Sequence, residues 1–501
     1  MSTLQGHNVL ILGLGASGLS MARWCARQGA QVTVADTRIA PPQLQPLRES
    51  VPGAVFVHTP FDAALVEGSE FRAVFKSPGL SPQETQGVTA AAQAQGLWIG
   101  SELSLFAQAL AELKASAQYE PKVLAITGTN GKTTVTSLTR HLIDWAGKTV
   151  AMAGNIGPAL LDTLTQALDA QSLPEVWVLE LSSFQLDIPA QFEPTAAAVL
   201  NITQDHLDWH GDMQAYTQAK SRIFGAEGLM VVNRDDPLVM AMLPALVKGR
   251  AVRNSITFGT DMPQRPGDFG LEDVNGMVWL VRALEADETR RKRKDAAEEL
   301  HFQRLMPLEV LRIRGRHNAS NALAALALCA AAGCALAPIL FGLREYRGEP
   351  HRVEAIGILN GVEFFDDSKG TNVGATVAAL QGLGADRKIV LILGGEGKGQ
   401  DFSPLCAPVS RYARAVVLIG RDAPLIRQAL SDAEVPLVDA ESMEAAVMQA
   451  NQRAHAGDAV LMSPACASFD MFDDYEHRAK VFCAAVHDLA LAAGVDLEGI
   501  A

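Results

Sequence analysis

The run Val123-Leu-Ala-Ile-Thr-Gly-Thr-Asn-Gly-Lys-Thr-Thr-Val135 constrains this chain more than any other stretch. Val123 to Ile126 reads as a buried strand, Gly128 ends it, and a helix-forming pattern resumes after Thr134. Strand, glycine turn and helix start converge several backbone N–H groups and a positive helix end on one spot, which suits a phosphate. Lys132 adds a mobile cation for the outer phosphates, and the Thr133 hydroxyl offers a ligand for Mg²⁺. Ile126 stands where the longer phosphate-loop pattern has its first glycine, so the loop is a shortened one. A plain turn with a solvated lysine is the competing reading, and two glycines with Gly-Lys-Thr-Thr at a helix start weigh against it.

At 501 residues the chain is too long for one core and suggests about three domains. Its 42 basic and 56 acidic residues give a net charge of −14, which argues against a nucleic-acid surface. Any anionic substrate must then be met by local cations. Six cysteines form no Cys-x-x-Cys pair, and with no signal peptide recognisable a reducing cytoplasm is expected. The most apolar segment, Ala319 to Leu340, contains Asn321 and Pro338, so a buried helix is expected rather than a membrane span.

Near the start, Gly13, Gly15 and Gly18 form G-x-G-x-x-G between a strand and a helix, and Asp36 closes the second strand. That context fits a dinucleotide, but a glycine turn under a helix start binds any diphosphate, a nucleotide-sugar included. Asp36, Thr37 and Arg38 would then face the nucleoside end. Lys76-Ser-Pro-Gly-Leu80 follows another strand and is expected along the same crevice. A polar stretch ending at Pro121 marks the first boundary. Beyond it, strands over Thr149–Met152, Val176–Leu181, Ala196–Ile202 and Leu229–Val232 imply a second, mostly parallel α/β domain. Residues 284–304 carry mixed charge and read as a solvated loop or helix. Asn318 and Asn321 share the first turn of the alanine-rich helix.

Gly348-Glu-Pro350 marks a second boundary, and Asn360-Gly361 signals a hairpin opening a third α/β domain. Glu180 and His206 end strands near the phosphate loop, where a carboxylate and an imidazole suit Mg²⁺; a helix cap and a packed histidine are the alternatives. His206 and His210 lack the intervening Glu of a zinc protease. In the third domain Lys369, Thr371, Lys398 and Ser468 sit on loops after strands and suit a small dicarboxylate. Cys466 reads as a small buried hydrophobe.

Together Gly128-Thr-Asn-Gly-Lys-Thr-Thr134, Asp367-Ser-Lys-Gly-Thr-Asn372 and Ser463-Pro-Ala-Cys-Ala-Ser-Phe-Asp470 resemble the Mur ligase family over essentially the whole chain. Within it they are most similar to the branch that adds D-glutamate to UDP-N-acetylmuramoyl-L-alanine in peptidoglycan synthesis. The resemblance implies an α/β protein of three domains. These are a Rossmann-like N-terminal domain for the UDP-substrate (1–120), a central P-loop ATPase-type domain (121–349) and a Rossmann-like C-terminal domain for D-glutamate (350–501). It implies ATP on Gly128, Thr129, Asn130, Gly131, Lys132, Thr133 and Thr134, with Asn318 and Asn321 near the adenine and Arg352 and Asp367 completing the nucleotide set. Two Mg²⁺ sites are implied on Thr133, Glu180, His206 and a carbamylated Lys220, a residue that otherwise passes for a surface lysine.

Ser17, Asp36, Thr37, Arg38, Ser77 and Gly79 are implied at the UDP-sugar, and Asn155 and Gln185 at the muramoyl-alanine. Lys369, Thr371, Lys398, Ser468, Phe469 and Tyr475 are implied around D-glutamate. Lys132, Glu180, His206, Lys220 and Lys369 are the expected catalytic set. The chain departs from the family's habit at Gly370, where Ala is usual, and at Tyr475, where Phe is familiar. ATP would convert the alanine carboxylate to an acyl phosphate, with the third domain closed over it. A monomer without nucleic-acid or membrane partners is expected. An NAD-dependent oxidoreductase and a silent nucleotide-binding scaffold are the other classes open to these motifs.

Overall fold

A computed structural model describes residues 4–188, 190–245, 247, 251–286, 300–384, 387–495 and 497. Its strands fall into three sheets among the described residues. The first holds β1 (Asn8–Leu12), β2 (Gln31–Asp36), β3 (Val55–His58), β4 (Phe71–Lys76) and β5 (Trp98–Gly100) in the order β3-β2-β1-β4-β5. All its pairings are parallel. Near-continuous runs such as Val9–Leu12 and Ala73–Phe75 are wholly buried, because helices cover both faces of a parallel sheet. The strand order reverses between β1 and β4, and both glycine-bearing loops leave the sheet there.

The second sheet contains β6 (Lys122–Thr127), β7 (Val150–Gly154), β8 (Val176–Glu180), β9 (Ala196–Val199), β10 (Leu229–Asn233), β11 (Ser255–Phe258), β12 (Phe269–Val274), β13 (Met277–Glu285) and β14 (Leu300–Pro307). Their order is β14-β13-β12-β11-β10-β9-β6-β8-β7. Strand β6 thus lies between β8 and β9, so Glu180 and the loop after Val199 flank the phosphate loop. The expected mostly parallel sheet extends further than the sequence suggests, with β12 added parallel to β11 and then β13 and β14 following in antiparallel pairings at that edge. The charged 284–304 block is accordingly not a simple loop or helix. Its ends belong to β13 and β14, with Glu285 opposite Leu300, while residues 287–299 lie outside the described residues.

The apolar segment expected as one helix is two, Arg316–Ala331 and Leu336–Glu345, separated at Gly333 with φ +73°. Pro338 falls in the first turn of the second helix, where its missing N–H has no intrahelical partner to lose. Ala319 and Ala322–Cys329 are wholly buried against the sheet. No helix among the described residues is long and apolar enough to cross a membrane.

The third sheet comprises β15 (Glu354–Leu359), β16 (Val362–Asp366), β17 (Ile389–Gly394), β18 (Ala413–Ile419), β19 (Leu437–Asp439) and β20 (Ala459–Met462), ordered β15-β16-β20-β17-β18-β19. Asn360 (φ +52°) and Gly361 (φ +78°) make the expected hairpin turn between its antiparallel first pair. The loops bearing Lys369, Lys398 and Ser468 leave the carboxyl ends of the adjacent strands β16, β17 and β20. All six cysteines are free thiols.

Candidate active site

The phosphate loop leaves β6 at Thr127 and enters the Lys132–Trp145 helix through Gly131. Gly128 (φ +157°) and Gly131 (φ +81°) adopt backbone angles that side chains rarely accept, which explains both glycines. A Cβ on Gly131 would also stand 2.8 Å from Asn321 Oδ1, so the Arg316–Ala331 helix seats its first turn on the loop. Asn321 Nδ2 donates to Asn318 Oδ1 at 3.0 Å, placing both on one face as expected.

Residues that the sequence did not single out hold this loop in shape. Asn130 N donates to Asn201 Oδ1 (2.8 Å), while Asn201 Nδ2 donates back to Asn130 O (3.0 Å). Thr129 Oγ1 lies 3.0 Å from the Tyr216 hydroxyl and bonds Thr203 O. Lys132 Nζ donates to Gly128 O (2.9 Å) and Thr129 O (2.8 Å). Burial lowers the Lys132 pKa, opposed by the charge of Glu180. Thr133 and Thr134 are buried at the helix start.

Glu180 is 1 % exposed at the end of β8. Its Oε1 accepts from Asn155 Nδ2 at 2.7 Å, but Oε2 is buried with no hydrogen-bond partner among the described residues. A buried carboxylate oxygen left bare is costly, and a cation is the partner it calls for. Lys220 is not the surface residue its sequence suggests. It is 1 % exposed, donates to Gly128 O (2.9 Å) and Thr127 Oγ1 (3.3 Å), and sits over the Tyr216 ring. Burial, then the neighbouring Lys132 charge, push its pKa well below the ordinary lysine value. His206 lies in the loop after β9 with φ +53°, its ring against Phe184 and its Nε2 3.5 Å from Asp205. Gln185 spends its Oε1 on Ser182 as half of a capping box, leaving its amide N–H₂ for a ligand.

In the first sheet's crevice, Ser77 Oγ donates to Gly13 O at 2.9 Å, so the two loops are bonded together. A Cβ on Gly18 would lie 2.0 Å from Gly13 O, which fixes glycine there. Asp36 is committed within the protein: Oδ2 accepts from Leu14 N (2.7 Å), and both oxygens hold the Arg38 guanidinium. Burial acts to raise its pKa, but these bonds prevail and hold it at about 2. Asp36 therefore aims Arg38 and shapes the turn, while Thr37 and Gly79 border the same crevice in sequence. The buried Glu102 accepts from Leu161 N (3.2 Å) and so ties the first unit to the second, and Ser17 lies near enough to its carboxylate to lower its pKa against the larger effect of burial.

In the third unit Lys369 Nζ lies 5.3 Å from the centre of the Tyr475 ring, and Lys398 Nζ 5.5 Å from that of Phe469. Ser468 is buried beside them in sequence, and Thr371 is half-buried. Burial raises the Asp367 pKa to about 7, opposed by the hydrogen bond from Ser463 Oγ. The departure at Gly370 has a local reason, since a Cβ there would stand 2.5 Å from Asp367 Oδ2. Arg478, also missed in the sequence, is wholly buried and donates to Ser368 O and Cys466 O. Two contacts bring this unit onto the phosphate loop: Arg352 Nη2 donates to Thr133 Oγ1 (2.8 Å), and Asn372 Nδ2 to Asn130 Oδ1 (3.3 Å).

The chain is similar to known proteins over most of its length. Family models match residues 7–100 (Mur ligase MurD-like, N-terminal domain), 126–329 (Mur ligase middle domain) and 351–466 (Mur ligase, glutamate ligase domain). A protein of Albidiferax ferrireducens named UDP-N-acetylmuramoylalanine--D-glutamate ligase is 68% identical over 505 residues, spanning 100% of both chains. One of the same name from a Polaromonas species is 57% identical, over 99% of this chain and 100% of that one. Among solved structures, MurF from Acinetobacter baumannii has a TM-score of 0.56 at 16% identity, covering 96% of this chain and 91% of its own. MurF from Thermotoga maritima has a TM-score of 0.56 at 15% identity, covering 98% and 100%. These two likenesses concern the fold alone, a mixed α/β arrangement of N-terminal, middle and C-terminal domains.

Proposed function

The chain belongs to the Mur ligase family, and we propose that it joins D-glutamate to UDP-N-acetylmuramoyl-L-alanine at the expense of ATP in peptidoglycan synthesis. The substrates are those in the name its full-length relatives share. The single observation that carries the chemistry is the bare Glu180 Oε2 beside a phosphate loop that Arg352 of the third unit touches.

The central unit (121–349) is read as a P-loop ATPase-type domain whose Gly128–Thr134 loop holds the ATP phosphates, with Asn318 and Asn321 toward the adenine. Thr133, Glu180, His206 and a carbamylated Lys220 fit two Mg²⁺ ions, which would offset negative charge on the phosphates. The Rossmann-like first unit (1–120) holds the UDP-sugar on Ser17, Thr37, Arg38, Ser77 and Gly79, with Asn155 and Gln185 at the muramoyl-alanine. The Rossmann-like third unit (350–501) holds D-glutamate on Lys369, Thr371, Lys398, Ser468, Phe469 and Tyr475.

The alanine carboxylate is a poor electrophile. Transfer of the γ-phosphoryl group makes it an acyl phosphate, while Lys132 and the loop N–H groups offset the developing charge. The D-glutamate amine then attacks the acyl carbon and phosphate leaves. The third unit shields the acyl phosphate from water, with Arg352 and Asp367 on the nucleotide side. A cytoplasmic monomer completes the reading.

Phosphate release from ATP should require both UDP-N-acetylmuramoyl-L-alanine and D-glutamate; release indifferent to either would end the ligase assignment. Gly18→Ala should raise the KM for the UDP-substrate about tenfold by crowding Gly13 O, as overpacking of this size commonly costs about 1–3 kcal/mol. ATP affinity, measured by calorimetry, should stay at the wild-type value in the same variant.

A further inference from the structure

We propose that His351, oriented by Asp366, accepts the proton that the D-glutamate ammonium must lose before it attacks. The proposal rests on the ligase reading above and adds a proton acceptor to it. An ammonium has no lone pair, so one N–H bond has to break before the N–C bond can form.

His351 precedes β15, and Asp366 ends the neighbouring β16. His351 Nδ1 lies 2.7 Å from Asp366 Oδ2. Asp366 is wholly buried, and its Oδ1 accepts from Ser368 N (2.9 Å) and Ser368 Oγ (2.6 Å), so it acts as an acceptor throughout. Opposite such a carboxylate the ring carries its hydrogen on Nδ1, which leaves the Nε2 lone pair available. Nε2 makes no hydrogen bond to any described residue, and the side chain is 25 % exposed.

The backbone fixes this orientation. His351 has φ +64°, a strained angle for a residue with a side chain. Its N–H donates to Glu354 Oε2 (2.8 Å), and its carbonyl accepts from Lys369 N (3.2 Å). The ring meets the Tyr475 ring edge to face at 6.2 Å, and Lys369 Nζ lies over that same tyrosine. The imidazole thus borders the group of residues assigned to D-glutamate. Asp367, a second candidate acceptor, is enclosed by Ser463 and Gly370 and is 6 % exposed.

In the step, Nε2 takes one proton from the ammonium, and the freed nitrogen lone pair forms the bond to the acyl carbon. The carbon–oxygen bond to phosphate then breaks, the second amine proton leaves with phosphate, and the imidazolium returns its proton to solvent. His351 is therefore a catalytic residue and Asp366 a positioning residue.

The test compares two nucleophiles in His351→Gln and Asp366→Asn. Hydroxylamine is already unprotonated near neutral pH and needs no acceptor to capture the acyl phosphate. Ligation of D-glutamate should fall about 100-fold in His351→Gln, as expected for a lost general base, while hydroxamate formation changes less than about threefold. The D-glutamate rate of His351→Gln should also recover as pH rises and free amine accumulates. Asp366, Glu354, Lys369, Arg352 and Tyr475 surround the ring and are unchanged in that variant, so the recovery reports the nucleophile. Asp366→Asn should show the same selectivity with a smaller loss. An equal fall for both nucleophiles in His351→Gln would overturn the proposal and leave the ligase reading standing. A wild-type protein that makes neither product would remove both.

Discussion

Lys220→Ala is expected to lose about 10³-fold or more of its substrate-dependent phosphate release while remaining folded, a loss on the scale of removing a main electrostatic contact to the reacting centre. The Lys220 side chain is buried within the second unit, and among the described residues its amine bonds two neutral oxygens, Gly128 O and Thr127 Oγ1. Burial and the nearby Lys132 favour the uncharged amine. A neutral amine is the form that adds carbon dioxide to give a carbamate, which would exchange a donor for an anionic oxygen beside Glu180. The stability effect has a definite sign. The folded-state pKa is depressed, so between that value and the ordinary 10.5 the unfolded chain binds more protons than the native one. This site's contribution to stability therefore rises with pH across that window. Lys220→Met, which keeps the aliphatic length without the amine, should melt at or above the wild-type Tm near neutral pH and lack that part of the pH slope. Calorimetric melts at several pH values, with turnover on the same samples, test both halves. Turnover near wild type in Lys220→Ala would remove the residue from the proposed metal site.

What the sequence made legible was mostly what short-range chemistry dictates. Gly13, Gly128, Gly131 and the Asn360-Gly361 pair all have positive φ, and a turn needing that angle is written into the chain as glycine or asparagine. The apolar runs of β1, β6 and β17 were equally plain, since strands buried on both faces carry no polar interruptions. Partnerships between distant residues were not. Tyr216 lies one turn before Lys220 in the Met213–Ser221 helix, but the burial of the amine depends on Gly128 and Thr127, which the sheet brings to it from 92 and 93 residues away. Asn201 and Arg478 hold loops from far away in the chain, and only the fold identifies their partners. Asp36 shows a subtler gap, since its pattern matches a ribose contact whereas its oxygens are already engaged by Leu14 and Arg38. The antiparallel edge of the second sheet escaped for a related reason. Met277–Glu285 carries no clean alternation, with Leu280 and Val281 both buried across a register shift, and its partner Leu300–Pro307 lies beyond the charged block.

Gly382→Ala should uncouple the third unit from the second and reduce ligation by about 5–150-fold, the range that corresponds to an overpacking cost of about 1–3 kcal/mol. Gly382 lies in the Val373–Leu383 helix of the third unit, and a Cβ there would stand 2.2 Å from His317 Nδ1 and 2.7 Å from its Cε1. A Cβ on Gly315 (φ +95°) would meet the same ring at 2.8 Å and the Gly382 Cα at 3.0 Å. His317 is thus wedged between two glycine backbones, one in each unit, and burial drives its pKa down to about 4. The imidazole is therefore neutral at neutral pH, and protonating it there would be costly. A methyl group at position 382 forces either the ring or the whole helix to move. The ring starts the helix that carries Asn318 and Asn321, so it has little room to yield. The helix itself is the part that shifts, and it bears Asn372 and Gly374, which face Asn130 and Thr203 at the phosphate loop. ATP affinity should fall less than turnover, because the loop proposed to hold the phosphates stays in place and only the contacts of Arg352 and Asp367 move away with the third unit, while kcat falls and small-angle scattering reports a larger radius. Because the obstacle is one specific ring, His317→Ala placed on top of Gly382→Ala should restore much of the lost turnover. A single variant that ligates like wild type, or a double variant no better than the single, would show that the wedge does not govern how the two units dock.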